Sequence, residues 1–391
     1  MRLSFLFLCA VYFFSLSAEP LQIEVSAQSA ILINADSGAV LFEKEAHKPS
    51  YPASTTKVAT ALFTLDHKQP DLDQSVLVSS HALQMKPAKP GDYPPFWLEL
   101  DGTMMGIRTG EILSLESLLH GLMMVSGNDA ANAIAETLSG SVPDFMEELN
   151  AYLKGLGCLR TQYQNPHGLH HPEHYTTAYD LALMMKKGLK VPKFRELISK
   201  VSYTKPKSNK APKTEITAFN PLIKPGRHYY PKAIGGKTGY HSNSLATLAV
   251  AAEHEGRTLI AVVMGCTKTS RYNDVKNLFN AAFEQTEIHR CLIGADQIFS
   301  QPIEGAKTPL KASLSADLNI HYFPAEEPKC RAFAHWDIPK LPIHKGQKVG
   351  EIQAIDGTGS ILKVEDLLAK EEVKATWRFI VKEWFSKFID L

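Results

Sequence analysis

The sequence predicts an α/β (α+β) domain with a mostly antiparallel sheet and a helical subdomain, then a small all-β domain and a C-terminal amphipathic helix. Three observations predict it. Helical and strand-like patterns are mixed through the first part of the chain and close on two apolar runs, 245–252 and 258–265, which read as a hairpin in the core of a sheet. Beyond residue 288, short β-like segments alternate with Pro and Gly up to Val373. The final stretch, 374–391, repeats apolar residues at helical spacing.

Arg2 precedes an apolar run over 3–14, and small residues follow at Ser15, Ser17 and Ala18. That run is too short to anchor in a bilayer, and its order reads as a secretion leader over 1–18, cleaved near Ser17 or Ala18. Residues 30–34 and 39–42 read as strands joined by the turn Ala35-Asp36-Ser37-Gly38. Helices are expected at 57–67, 114–120, 129–138, 145–156 and 177–187, the last two stopped by Gly157 and Gly188. The Lys- and Pro-rich stretch 200–213 is expected to be a solvated surface loop. A helix over 275–283 packs back on the hairpin. The domain bounds are then 19–287 for the α/β domain, 288–373 for the β-rich domain and 374–391 for the terminal helix.

In that helix Trp377, Ile380, Val381, Trp384, Phe388 and Leu391 share one face, flanked by Arg378 and Lys387. Charges interrupt it too often for a span across the membrane. Its aromatic content and basic flanks favour a helix lying on a membrane surface over one docked on the protein's own core.

Composition narrows the function. At 391 residues the chain exceeds one compact core, and 44% hydrophobic with 21% charged residues is ordinary for a folded protein. A net charge of +1 provides no basic field, which excludes a nucleic-acid partner. Cys9 leaves with the leader. Cys158, Cys266, Cys291 and Cys330 show no CxxC pair and no metal-ligand spacing; an oxidising compartment permits disulfides but the spacing demands none, and Cys158 and Cys266 read as small buried hydrophobes.

The chemistry starts at Ser54-Thr55-Thr56-Lys57, at the head of a helical pattern. A serine hydroxyl is a poor nucleophile until a base takes its proton, and a lysine three residues on lies on the same helical face. To act as that base the lysine must be neutral, through desolvation or a nearby cation. The motif alone is weak, since Ser202-Tyr203-Thr204-Lys205 and Ser360-Ile361-Leu362-Lys363 match it too. Ser126-Gly127-Asn128 before a helix and Lys237-Thr238-Gly239 before the apolar hairpin corroborate Ser54. In this order the three elements are the set of penicillin-binding proteins and class A β-lactamases.

The resemblance becomes specific over Pro52-Ala53-Ser54-Thr55-Thr56-Lys57, Ser126-Gly127-Asn128-Asp129-Ala130, Asn165-Pro166-His167-Gly168-Leu169, His174-Tyr175-Thr176-Thr177-Ala178 and Lys237-Thr238-Gly239-Tyr240. These resemble the low-molecular-weight penicillin-binding proteins that are D-alanyl-D-alanine carboxypeptidases, over about residues 28–285. The β-rich module and the tail resemble that family's C-terminal domain and membrane anchor.

The resemblance implies a penicillin-binding/β-lactamase-like fold, peptidoglycan stem peptides as substrate and β-lactams as inhibitors. It also implies a place on the periplasmic face of the cytoplasmic membrane. Ser54 attacks the carbonyl between the terminal D-alanines, Lys57 takes its proton, and Ser126 relays a proton to the leaving D-alanine, with Lys237 nearby. Asn128 holds the substrate amide and Lys57. The edge of Lys237, Thr238 and Gly239 pairs with the peptide backbone. Thr238 meets the terminal carboxylate, and the backbone N–H groups of Ser54 and Tyr240 form the oxyanion hole. Arg271 either adds charge for that carboxylate or is an ordinary surface arginine.

A triad through His167 or His174 is rejected, because both fit scaffold segments. No metal or other cofactor is expected, since His170, His171 and the rest lack a ligand partner at suitable spacing. One departure from the family pattern stands after Tyr240. His241-Ser242-Asn243-Ser244-Leu245 replaces a small residue and a glycine, which leaves substrate preference open. The alternatives are a β-lactamase of related fold, which needs a carboxylate that Asn165-Pro166-His167-Gly168-Leu169 lacks, or a non-catalytic wall-binding scaffold.

Overall fold

The structure, a computed structural model, describes residues 9–14, 19–87, 89 and 91–389. It divides into two compact units: residues 20–284, and residues 285–391 together with those up to 19.

The first unit is built on a five-stranded antiparallel sheet. Its order is Val40–Lys44, Ser29–Asn34, Arg257–Cys266, Leu245–His254, Ala233–His241. Helices α1 (Lys57–Leu62), α2 (Leu115–Met124), α3 (Asn128–Ser139), α4 (Val142–Gly155), α5 (Ala178–Leu189), α6 (Pro192–Ser199) and α7 (Ser270–Phe283) complete it. Three of them start where a hydroxyl caps them: Ser114, Ser141 and Thr177 accept from the N–H groups of Ser117, Asp144 and Asp180. Val58 and Leu62 of α1, Leu118 and Leu122 of α2, Ile134 of α3 and Leu181 of α5 share one core with Ile260 and Val262 of the sheet. Val275, Leu278 and Phe279 of α7 are buried outside that core, against the face to which Leu259, Ala261 and Val263 point. The sheet is thus covered on both faces, which is why its hairpin reads as two unbroken apolar runs.

Helix α1 is shorter than the expected 57–67. A 3-10 turn, Ala53–Thr56, leads into it, and a π-helical segment, Phe63–Lys68, follows. The stretch 200–213, expected to be a solvated loop, is instead part of a hairpin. Ser202–Lys205 pairs with Thr214–Thr217, and Lys205 is buried with its Nζ 3.4 Å from Glu111 Oε1. Ser208 Oγ donates to the same carboxylate at 2.7 Å and Arg108 N at 3.0 Å. A buried counter-charge remote in sequence turns a lysine-rich loop into an anchored hairpin.

Among the described residues the second unit is all-β apart from a 3-10 turn, Pro324–Glu326, and its last helix. A six-stranded sheet runs in the order Cys9–Phe14, Cys330–Trp336, Lys348–Ile355, Ile361–Ala369, Leu310–Leu314, Phe299–Gln301, beside a ribbon of Ile288–Ile293 and Leu318–Tyr322. Leu310, Leu318, Val349, Ile352 and Leu367 form its core. Cys9–Phe14, from the stretch read as a leader, is an edge strand here; residues 1–8 and 15–18 lie outside the described residues. Helix α8 spans Trp377–Ile389 and exposes Trp377, Ile380, Trp384 and Phe385. Leu391 lies outside the described residues. Among the described residues, no helix is long and apolar enough to cross a membrane. Cys158, Cys266 and Cys330 are buried free thiols and Cys291 is an exposed one.

Candidate active site

The 3-10 turn carries Ser54, and Lys57 is the first residue of α1. With three residues per turn, side chains at i and i+3 eclipse, which stacks the lysine on the serine. Lys57 Nζ lies 3.1 Å from Ser54 Oγ, 2.6 Å from Asn128 Oδ1 and 2.6 Å from the His167 carbonyl. Lys57 is wholly buried while Ser54 is half-buried. Burial holds the Lys57 amine well below the ordinary lysine range, the Lys237 cation adds to this, and Asp129 opposes it. A neutral amine has two N–H groups and one lone pair. The Asn128 and His167 oxygens can only accept, so they take both N–H groups, and the lone pair is left to accept from the Ser54 hydroxyl.

The turn is held by its neighbours. Pro52 O accepts from Thr55 Oγ1 at 2.7 Å and from Thr247 Oγ1 of the sheet at 2.9 Å. The loop 165–169 lies directly on it. Gly168 has φ +90°, and a Cβ there would fall 2.0 Å from Ala53 O, so only glycine allows this approach. Asn165 shapes the loop, donating to Leu169 O at 2.9 Å and accepting from Gly168 N at 2.7 Å. The backbone oxygen that completes the Lys57 site comes from this loop. Sequence reasoning missed it, because a carbonyl leaves no residue signature.

Both histidines near the turn are scaffold. His167 Nε2 donates to Phe96 O at 3.1 Å, and its Nδ1 accepts from Leu169 N at 3.2 Å. Thr56 Oγ1 donates to Ala53 O, so His174 Nε2 donates to that hydroxyl at 2.8 Å while His174 Nδ1 accepts from Gln164 N at 3.0 Å. Burial lowers His174 to about 3 and holds His167 well below the ordinary imidazole range. With every ring nitrogen engaged, neither can serve Ser54.

Ser126 sits between α2 and α3 with φ +62°, a conformation that costs a non-glycine residue about 1–2 kcal/mol. Its hydroxyl is buried and has no hydrogen-bond partner among the described residues. Asn128 opens α3, and its backbone N–H donates to Thr103 O at 2.8 Å. With its amide oxygen on Lys57, its NH2 is the donor end left over. The neighbouring Asp129 spends its carboxylate on the N–H groups of Met105, Gly106 and Ile107.

Lys237, Thr238, Gly239 and Tyr240 lie on Ala233–His241, the last strand of the sheet, whose outer edge has no strand partner among the described residues. Lys237 is buried, donates to Thr238 O at 2.7 Å and is lowered to about 7 by burial and then by Arg271. A Cβ on Gly239 would lie 3.0 Å from both Pro52 O and Ser54 N, so glycine brings this strand up to the serine turn. Tyr240 is half-exposed, with Lys268 Nζ 4.1 Å over its ring. Arg271 braces the strand from within: it donates to Gly239 O at 2.6 Å, Thr247 O at 3.2 Å and Tyr272 Oη at 2.7 Å.

A serine and a buried lysine between these three segments match the D-alanyl-D-alanine carboxypeptidase family, whose sequence model fits residues 15–268. The chain belongs to that family. It is 30% identical to D-alanyl-D-alanine carboxypeptidase DacF of Bacillus subtilis over 358 residues, 89% of this chain and 86% of that protein. Penicillin binding protein 5 from Haemophilus influenzae is a solved structure similar to it, with TM-score 0.61 and 25% identity over 90% of this chain and 98% of that one. A D-alanyl-D-alanine carboxypeptidase from Mycobacterium tuberculosis is likewise similar, with TM-score 0.59 and 29% identity over 70% and 97%. These neighbours carry the fold that the resemblance implied.

The departure after Tyr240 has a structural counterpart in this family member. His241 stacks on His170 with ring centroids 5.6 Å apart, and Asn243 Nδ2 lies 3.0 Å from His170 Nε2. The turn at 241–245 is thereby tied to the loop that lies on Ser54. Leu245 takes φ +56° and is partly exposed.

Proposed function

We propose that the chain is a serine-type D-Ala-D-Ala carboxypeptidase that removes the terminal D-alanine from peptidoglycan stem pentapeptides, and that β-lactams inhibit it. The observation that carries this reading is the buried Lys57 amine, held by Asn128 Oδ1 and the His167 carbonyl and directed at Ser54 Oγ. Lys57 takes the hydroxyl proton as Ser54 Oγ attacks the carbonyl carbon between the two D-alanines. The resulting oxyanion sits between the backbone N–H groups of Ser54 and Tyr240, each worth ~2.7–4 kcal/mol of barrier. Ser126, with Lys237 nearby, gives its hydroxyl proton to the leaving amine and takes the proton held by Lys57 in return, so the C–N bond breaks, D-alanine departs and Lys57 is neutral again. Water then attacks the acyl carbonyl carbon, giving a proton to the neutral Lys57, which returns it to Ser54 Oγ as the ester C–O bond breaks, and Ser54 is restored.

The peptide backbone adds as a strand along Lys237, Thr238 and Gly239, with Thr238 on the terminal carboxylate and the Asn128 NH2 on the substrate amide. A β-lactam acylates Ser54 in the same way. A β-lactamase reading is disfavoured because the loop 165–169 has no carboxylate to hold a deacylating water, and Asp129 is already engaged. A silent scaffold is disfavoured too, since it has no use for a serine with an activated base.

For the whole chain, residues 1–18 are a leader removed on export, 19–287 the enzyme, 288–373 an accessory β domain and 374–391 a helix resting on the membrane's periplasmic surface. The exposed Trp377, Ile380, Trp384 and Phe385 support that placement of the tail. The test is to incubate the protein with a labelled penicillin and, separately, with a D-Ala-D-Ala pentapeptide. A lasting covalent label and free D-alanine are expected, both abolished in Ser54→Ala. Rapid penicillin turnover without D-alanine would establish a β-lactamase, and neither product a scaffold.

A further inference from the structure

The ribbon of Ile288–Ile293 and Leu318–Tyr322 places His289 directly opposite His321. Leu318, Ile320 and Tyr322 point into the core, which turns His321 outward, and His289 faces out beside it. The two imidazole rings meet edge to face with centroids 4.2 Å apart. Glu287, just before the first strand, reaches both: its Oε2 lies 3.8 Å from His289 Nε2 and 3.9 Å from His321 Nδ1. Those separations are too long for hydrogen bonds. They exceed the ~3.3 Å between two ligand atoms on one tetrahedral ion by about half an ångström, a gap that a small rotation of these exposed side chains closes. All three ligand atoms fall within 4.8 Å of one another. From this geometry we infer that Glu287, His289 and His321 bind a divalent transition metal of the Zn2+ type.

Two imidazoles and one carboxylate suit zinc and its neighbours, whereas calcium and magnesium prefer all-oxygen sets. Three protein ligands leave a coordination position for water or an outside donor. His321 also lines a groove of about 490 Å³ with Asp317, Asn319 and Glu365, from which such a donor could come. An ion here would cross-link the two strands of the ribbon. The sequence hides the site because the histidines meet only through strand register. Among the described residues a second grouping of this kind, Glu116, His120 and Glu196, differs in that the Lys193 ammonium already bridges its two carboxylates.

The experiment is calorimetric titration of the full chain with Zn2+, beside thermal unfolding with and without the metal. One equivalent is expected to bind and raise the unfolding midpoint of the wild type. Both effects should vanish in His289→Ala and in His321→Ala and weaken in Glu287→Gln. Cys291 stands exposed two residues beyond His289, so Cys291→Ser is the control and should bind as the wild type does. Unchanged binding in the His289→Ala/His321→Ala double variant would overturn the assignment. So would loss of binding in Cys291→Ser, or a sulfur ligand in the X-ray absorption spectrum of the zinc-loaded chain.

Discussion

An ammonium group taken out of water costs several kcal/mol unless a carboxylate accompanies it, and Lys57 and Lys237 are both buried with only neutral oxygens as hydrogen-bond partners. The protein meets that cost by letting the amines lose their protons. For Lys237 the sign is definite. It titrates at about 7 in the fold against 10.5 in an ordinary setting, so the unfolded chain binds the extra proton between those values. Its destabilising contribution is full below about 7 and fades as pH rises toward 10.5. Lys237→Met should therefore be more stable than the wild type at pH 6, with the gain shrinking by pH 9, as followed by chemical denaturation. A gain that stays constant with pH would mean that Lys237 keeps its proton throughout.

At the scale of elements, the site depends on close approaches between backbones. Gly168 brings its loop against Ala53, and that loop supplies the His167 carbonyl to Lys57. Gly168→Ala should displace the loop and slow acylation by on the order of 10²-fold, the usual consequence of a misplacement near 1 Å. Unaltered acylation by labelled penicillin would show that the carbonyl contact is dispensable. Much of this architecture was legible beforehand. The apolar hairpin, the capped helices and the Ser54, Ser126 and Lys237 motifs each carry a local signature of periodicity, capping or spacing. The rest depends on distance contacts. Lys205 reads as a solvated lysine because nothing near it in sequence announces Glu111, and Arg271 reads as ambiguous because its partners are the carbonyls of Gly239 and Thr247. Helix α6 went unread, and the 3-10 turn that stacks Lys57 on Ser54 is invisible to a helical pattern that runs through it.

For the whole molecule, the two units divide the labour proposed for the chain: residues 20–284 contain every group assigned to the reaction, and α8 belongs to the other unit. Deleting 374–391 should abolish binding to lipid vesicles while leaving D-alanine release intact, as read by co-sedimentation and a product assay. Retention on vesicles would place membrane attachment elsewhere in the chain. All of this activity depends on Lys57 being uncharged near neutral pH. The direct measurement is the rate of Ser54 acylation by a labelled penicillin across pH 5 to 10, at saturating and limiting concentrations. With the Lys57 amine held well below the ordinary lysine range, acylation has stopped rising well before the pH at which an ordinary lysine loses its proton, and it falls toward acid. A rate still climbing tenfold per pH unit through 9 would reveal an ordinary protonated lysine and contradict the account.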